Sequence, residues 1–111
     1  MNCPFCKIIE KKAPAKTFYE DEKTIVFADI LPRANVHLLI CPKIHVEKFI
    51  DLTEENLSFL MKTVKITAEM LNVADNFKLI LNNGAQAGQI VGHLHFHFLS
   101  NKQGIKVSYR D

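Results

Sequence analysis

The segment from His93 to Leu99 reads HLHFHFL, three histidines at every second position with leucine and phenylalanine between them. On an extended strand successive side chains point to opposite faces, so His93, His95 and His97 share one face while Leu94, Phe96 and Phe98 share the other. A helix does not bring positions i, i+2 and i+4 to a common face, and aromatic side chains suit a pleated surface. The segment therefore demands a sheet with core on one side and a row of imidazoles on the other. A strand rises ~3.3 Å per residue, which starts His93 and His97 roughly 13 Å apart, too far for one zinc ion that wants each nitrogen at about 2.0–2.1 Å. Two neighbours can share an ion; three cannot. The row is then either a set of buried, hydrogen-bonded imidazoles, each needing partners for two nitrogens, or chemical machinery.

The rest of the chain supplies the sheet. A short helix is expected over Phe5–Lys11, closed before Pro14, and two short strands over Thr17–Tyr19 and Thr24–Asp29 form a hairpin around the polar EDEK turn. Pro32 marks Leu31–Asn35 as a loop, and Val36–Cys41 is a third strand stopped by Pro42. Thr53 is an N-cap, with Glu54 and Glu55 in the first turn of a long helix. Its apolar stripe of Leu57, Leu60, Met61, Val64, Ala68 and Leu71 keeps the 3.6-residue period of a core-facing helix. Phe77–Leu81 is a fourth strand, NNGAQAGQ a glycine-containing loop, and Ile90–Leu99 the histidine strand. Hairpins around one long helical crossover, without regular strand–helix alternation, predict an α+β fold: an antiparallel sheet with one long and one short helix packed on one face.

With 111 residues, 48% hydrophobic and 23% charged, the sequence reads as one globular domain, 1–111, able to form a core without disulfides. A formal net charge of +2 without any lysine or arginine run gives no nucleic-acid footprint. MNCPFCKIIEKK lacks the apolar stretch of a signal peptide, and no segment approaches the ~20 apolar residues of a membrane span, so a cytoplasmic protein with no membrane partner is expected. Cysteines there stay reduced, which gives Cys3 and Cys6 a metal or redox reading; Cys41, in HLLIC, reads as a small core residue.

All five histidines, His37, His45, His93, His95 and His97, fall on or beside expected strands and none on the long helix, so convergence on one face or edge of the sheet is expected. Gly84 and Gly88 open backbone conformations closed to other residues, and the loop holding them is either a simple turn or an anion nest of N–H groups. Followed directly by three imidazoles, such a nest suits a transferring phosphoryl group. A neutral imidazole nitrogen can itself attack phosphorus, splitting one hard displacement into two easier ones, while neighbouring imidazoles hold phosphate oxygens or protonate the leaving group.

HLHFHFL fits the His-φ-His-φ-His-φ-φ signature, φ being apolar, of the histidine triad superfamily. The blocks CPFCKII, YEDE, FADILP, VHLLICPKIH and LNNGAQAGQIVGHLHFHFL, spread from Cys3 to Leu99, resemble its bacterial Hint-like, nucleotide-binding branch. The resemblance implies a purine nucleoside 5′-phosphoramidate hydrolase in which His95 attacks the α-phosphate, His97 contacts the phosphate and His37 sits beside the nucleophile. It implies Asp29 as the ribose-binding acid, Asn82 near ribose and phosphate, Gly88 and Gln89 as phosphate contacts, and Ile30 beside the base. It implies a structural zinc on Cys3, Cys6, His45 and His93, no catalytic cofactor, and a homodimer in which two sheets join and the C-terminal tail reaches the partner's site. Dinucleoside polyphosphate hydrolysis, a nucleotide-binding protein with incidental turnover, and a zinc scaffold with a structural triad are the competing readings. The chain departs from the branch where Ile90 replaces a common serine or threonine, Asn35 a frequent proline, and Ala28 a histidine of some relatives, and where the tail NKQGIKVSYRD lacks a tryptophan-containing ending. These departures leave the reaction class and unsettle the substrate.

Overall fold

The protein is described by a computed structural model over residues 2–107. Its elements are α1 (Pro4–Ile9), β1 (Thr17–Glu20), β2 (Thr24–Ala28), β3 (Val36–Pro42), α2 (Glu54–Met70), β4 (Lys78–Leu81) and β5 (Phe96–Ser100), with single 3-10 turns at Phe49–Asp51 and Ala85–Ala87. The five strands form one antiparallel sheet in the order β1-β2-β3-β5-β4. This is the expected α+β architecture. Asp21 turns the β1–β2 hairpin by accepting the backbone N–H groups of Lys23 and Thr24 on one carboxylate oxygen. Thr53 caps α2, its hydroxyl oxygen accepting the Asn56 N–H at 3.1 Å.

The central strands β2 and β3 are buried along their whole length because both faces of the sheet are covered. Val26, Ala28, Leu38, Ile40, Phe96 and Phe98 meet Leu60, Val64 and Ala68 of α2 on one face. Ile25, Phe27, Leu39 and Cys41 meet Cys3 and Phe5 on the other. The expectation of both helices on one face is therefore corrected: α1 lies across the sheet from α2. Cys41 is a fully buried core residue, as expected.

The histidine strand is shorter than the expected Ile90–Leu99. The β3–β5 ladder ends at the pair Ile40 and Phe96. Two residues further along β3, Pro42 has no N–H to donate, and Leu94 instead donates its N–H to Val46 O at 2.7 Å in the chain beyond β3. His93 and His95 thus lie on the approach to β5, and only His97 lies within it. Among the described residues no helix is long and apolar enough to cross a membrane.

Candidate active site

The five histidines form one row on the α1 side of the sheet. His37 is paired with Leu99 and Leu39 with His97, so His37 and His97 are diagonal neighbours on one face. Their rings lie 5.2 Å apart, and His95 stands 5.1 Å beyond His97. At the other end His93 and His45 are 5.1 Å apart. Between the two groups sits Phe5, edge-on to His95 at 5.0 Å and to His93 at 5.9 Å. The expected convergence holds.

Hydrogen bonds fix the protons. The His93 carbonyl oxygen can only accept, so its 2.7 Å bond with His95 Nδ1 places the His95 proton there and leaves Nε2 with a bare lone pair. At the other end His37 Nδ1 accepts the Arg33 N–H at 3.1 Å. Neutral His37 therefore carries its proton on Nε2, which meets His97 Nδ1 at 2.9 Å and Asp29 Oδ2 at 3.3 Å. His97 Nδ1 is then the acceptor, and the proton of neutral His97 resides on its Nε2. The result is a lone pair on His95 beside an N–H on His97, in a site where burial lowers every one of these imidazoles. Burial holds His95 and His37 below the ordinary histidine value, and burial together with the neighbouring His95 and His37 takes His97 down to about 4.

His95 and His97 line a cavity of about 660 Å³ together with Asp29, Ile30, Asn82 and Gly88. These are the sequence-assigned substrate residues, with one exception. Gln89 is not in the lining: its Oε1 accepts the Gly84 N–H at 2.7 Å, and its Nε2 donates to Glu47 O and Val91 O. Its amide is used up stapling the glycine turn. The turn is also not an open nest, since Ala87, Gly88 and Gln89 give their N–H groups to Gly84 O and Ala85 O. Gly84 and Gly88 do adopt φ of 101° and 98°, values that require glycine.

Cys3, Cys6, His45 and His93 bring one ligand atom each within 4.8 Å of one another. Cys3 Sγ lies 3.5 Å from His93 Nδ1, and Cys6 Sγ lies 3.3 Å from His45 Nδ1 and 3.6 Å from His93 Nδ1. Zn–S of about 2.3 Å and Zn–N of about 2.0–2.1 Å put neighbouring S and N about 3.5 Å apart at a tetrahedral ion, so the four residues fit a Cys₂His₂ site. His93 Nε2 donates to Pro42 O at 2.9 Å, which leaves its Nδ1 lone pair facing the thiols, the outer hydrogen bond such a ligand needs. Burial first and the Cys3 sulfur second push the Cys6 thiol up to about 11. Asp29, His37 and His97 also cluster, but His37 Nδ1 already accepts an N–H and its Nε2 carries the proton, so this group is a hydrogen-bond network rather than a ligand set.

Sequence reading missed two participants, Phe5 and Arg33, and one role of a third, Asp29. Phe5 is buried against the nucleophile candidate, and its signal was its place inside Cys3-x-x-Cys6. Asp29 contacts His37, and Arg33 contributes a backbone N–H; neither role leaves a mark in residue type. Ile90, on the cavity wall, is 94% exposed.

A model of the HIT domain matches residues 10–104. An uncharacterized HIT-like protein of Methanocaldococcus jannaschii is 43% identical over 104 residues, covering 92% of this chain and 81% of the relative. Among solved structures, a HIT family hydrolase from Legionella pneumophila Philadelphia 1 superposes with a TM-score of 0.85 at 34% identity, covering 92% of this chain and 95% of that one. A histidine triad nucleotide-binding protein from Candida albicans gives a TM-score of 0.85 at 33% identity over 96% of this chain and 80% of its own. The chain belongs to the HIT domain family, the histidine triad superfamily whose signature it carries at His93–Leu99.

Proposed function

We propose that the protein is a nucleotide hydrolase that cleaves the P–N bond of purine nucleoside 5′-phosphoramidates through a nucleotidyl-histidine intermediate on His95. The observation that carries the reading is the bond from His95 Nδ1–H to the His93 carbonyl, which leaves Nε2 as a lone pair on the cavity wall. That lone pair forms the bond to the α-phosphorus; the P–N bond breaks, its electron pair leaves on the amine nitrogen, and this nitrogen takes one proton from solvent. Water then adds to phosphorus, the bond to His95 breaks with its pair returning to Nε2, and one proton is released, so the cycle is balanced. His97 Nε2–H donates to a phosphate oxygen as charge develops there. Asp29 and His37 fix the tautomer of His97, Asp29 also reaching the ribose, with Asn82 toward ribose and phosphate and Ile30 beside the base. The neighbours described as a hydrolase and as a nucleotide-binding protein support the class; the purine and the P–N bond come from the sequence resemblance.

Zinc on Cys3, Cys6, His45 and His93 belongs to the same reading. With all four positions closed by protein ligands the ion holds structure and takes no part in the reaction. A homodimer joined at β4 is a further part. β1, the other edge, is guarded by a register irregularity between Thr17 and Tyr19 and by Glu20 with its Lys11 and Lys43 ion pairs. β4, KLIL, has one charged residue, Lys78, at its start and pairs with β5 in regular register from Lys78 to Leu81. The part of the tail at 108–111 lies outside the described residues. The reading places the protein in the cytoplasm.

Ile90 supports a second reading, a nucleotide-binding protein with incidental turnover, because an exposed alkyl group stands where the resemblance implies a serine or threonine hydroxyl. Steady-state assays separate the alternatives. On adenosine 5′-phosphoramidate, wild type turns over and His95→Ala loses at least about 10³-fold while still binding adenosine monophosphate. Faster cleavage of a dinucleoside polyphosphate would move the assignment to P–O hydrolysis, and binding without turnover in wild type would favour the second reading.

A further inference from the structure

α1 joins the two halves of the histidine row. Cys3 and Cys6 bracket Phe5, and the Phe5 ring meets His95 at 5.0 Å and an interplanar angle of 80°, His93 at 5.9 Å and Phe27 at 5.2 Å. The same helix contributes Pro4, Phe5 and Ile8 to the cavity wall. His93 is shared as well: its ring Nδ1 faces both thiols, while its carbonyl oxygen takes the His95 Nδ1 proton. A helix of six residues is far below the ~12–15 needed for helices to persist alone in water. Its place therefore depends on what anchors it, and two of the four anchoring donors, Cys3 and Cys6, flank the residue that touches the nucleophile.

We propose that the Cys3, Cys6, His45 and His93 cluster, when it holds its metal, positions the nucleophile through two arms, the His93 carbonyl and the Phe5 ring. Metal loading thereby sets the tautomer and orientation of His95. The inference rests on reading His95 as the nucleophile and the cluster as a zinc site. An imidazole that loses its carbonyl acceptor distributes its proton over both nitrogens, and in one of the two forms Nε2 has no lone pair to offer. Phe5 is a positioning residue. A leucine keeps an apolar side chain at this site but offers no ring edge to pack against the imidazole.

The test uses the full chain, zinc-loaded and chelator-stripped, as wild type and as Phe5→Leu, which retains all four metal ligands. Zinc content is measured for each sample. Long-range ¹H–¹⁵N spectra at mildly alkaline pH report the His95 tautomer, assigned by comparison with His95→Ala, independently of any turnover. Zinc-loaded wild type is expected to show only the Nδ1–H form, the stripped protein both forms, and restored zinc the single form again. Phe5→Leu is expected to hold full zinc yet lose about 5- to 20-fold in kcat on adenosine 5′-phosphoramidate with KM within about twofold, as for a misplaced reacting group. A stripped, folded protein that keeps the single Nδ1–H form would overturn the proposal, as would wild type that binds no zinc. If stripping unfolds the chain, Phe5→Leu decides, and a kcat within about twofold of wild type overturns the role of Phe5. Wild type with no turnover but a metal-dependent tautomer would remove the nucleophile reading and leave the coupling supported.

Discussion

Burial and two imidazole neighbours hold the His97 ring neutral down to about pH 4, and this has a thermodynamic sign. The groups around it are His95, His37, Asp29 and Arg33, of which only Asp29 favours the proton. Unfolded, His97 titrates near ~6.5, so between there and about 4 the unfolded chain binds the extra proton. The contribution to stability is complete above the unfolded value and is lost as pH falls through that window, on the order of 3 kcal/mol for His97 alone. His37, also lowered by burial, acts in the same direction. Urea denaturation at a series of pH values is expected to show stability falling from neutrality toward pH ~4.5, with a shallower fall in His97→Gln; an unchanged slope in the variant would contradict the burial account. The residues behind this effect differ in how far sequence revealed them. His37 and His97 are visible as types at their positions, whereas the Arg33 N–H and the Asp29 carboxylate that orient them act through backbone and geometry, which a residue letter does not encode.

At the scale of elements, α2 packs more than its apolar stripe. Thr63 and Thr67 are also buried. Thr63 shares a 2.7 Å hydrogen bond with Thr24, but the Thr67 hydroxyl has no hydrogen-bond partner among the described residues. Valine has the same shape without the hydroxyl, so Thr67→Val is expected to raise stability by about 1 kcal/mol, seen as a higher urea midpoint at unchanged slope; a lower midpoint would mean that the hydroxyl is satisfied. The helix itself was legible because Thr53, the acidic first turn and the 3.6 period agree. The alternation in HLHFHFL likewise gave the two faces of its strand. The extent of β5 was not legible, since alternation continues through His93 while the ladder stops at Ile40, two residues before Pro42 ends β3. Nor was the face chosen by α1, which depends on Cys3 and Phe5 meeting Ile25, Phe27 and Leu39, contacts distant in sequence. Gln89 illustrates the same limit: the resemblance implies a phosphate contact there, while its amide is bound to Gly84, Glu47 and Val91.

For the whole molecule, the regular, mostly apolar β4 edge predicts an isologous dimer in which two five-stranded sheets continue into one. Sedimentation equilibrium at micromolar concentration is expected to give twice the chain mass of 12.7 kDa, and a monomer would contradict the pairing. The Cys3, Cys6, His45 and His93 cluster and the His95–His97 pair are parts of one histidine row, so the central claim of the proposed function is chemical: that His95 carries the nucleotide during turnover. Intact-protein mass spectrometry after rapid mixing of wild type and His95→Ala with adenosine 5′-phosphoramidate tests it most directly, with released adenosine monophosphate followed alongside. The account predicts a transient adduct of one adenylyl group on wild type, formed and lost as product appears, and none on the variant. Product formed without any adduct, or an equal adduct on His95→Ala, would contradict it.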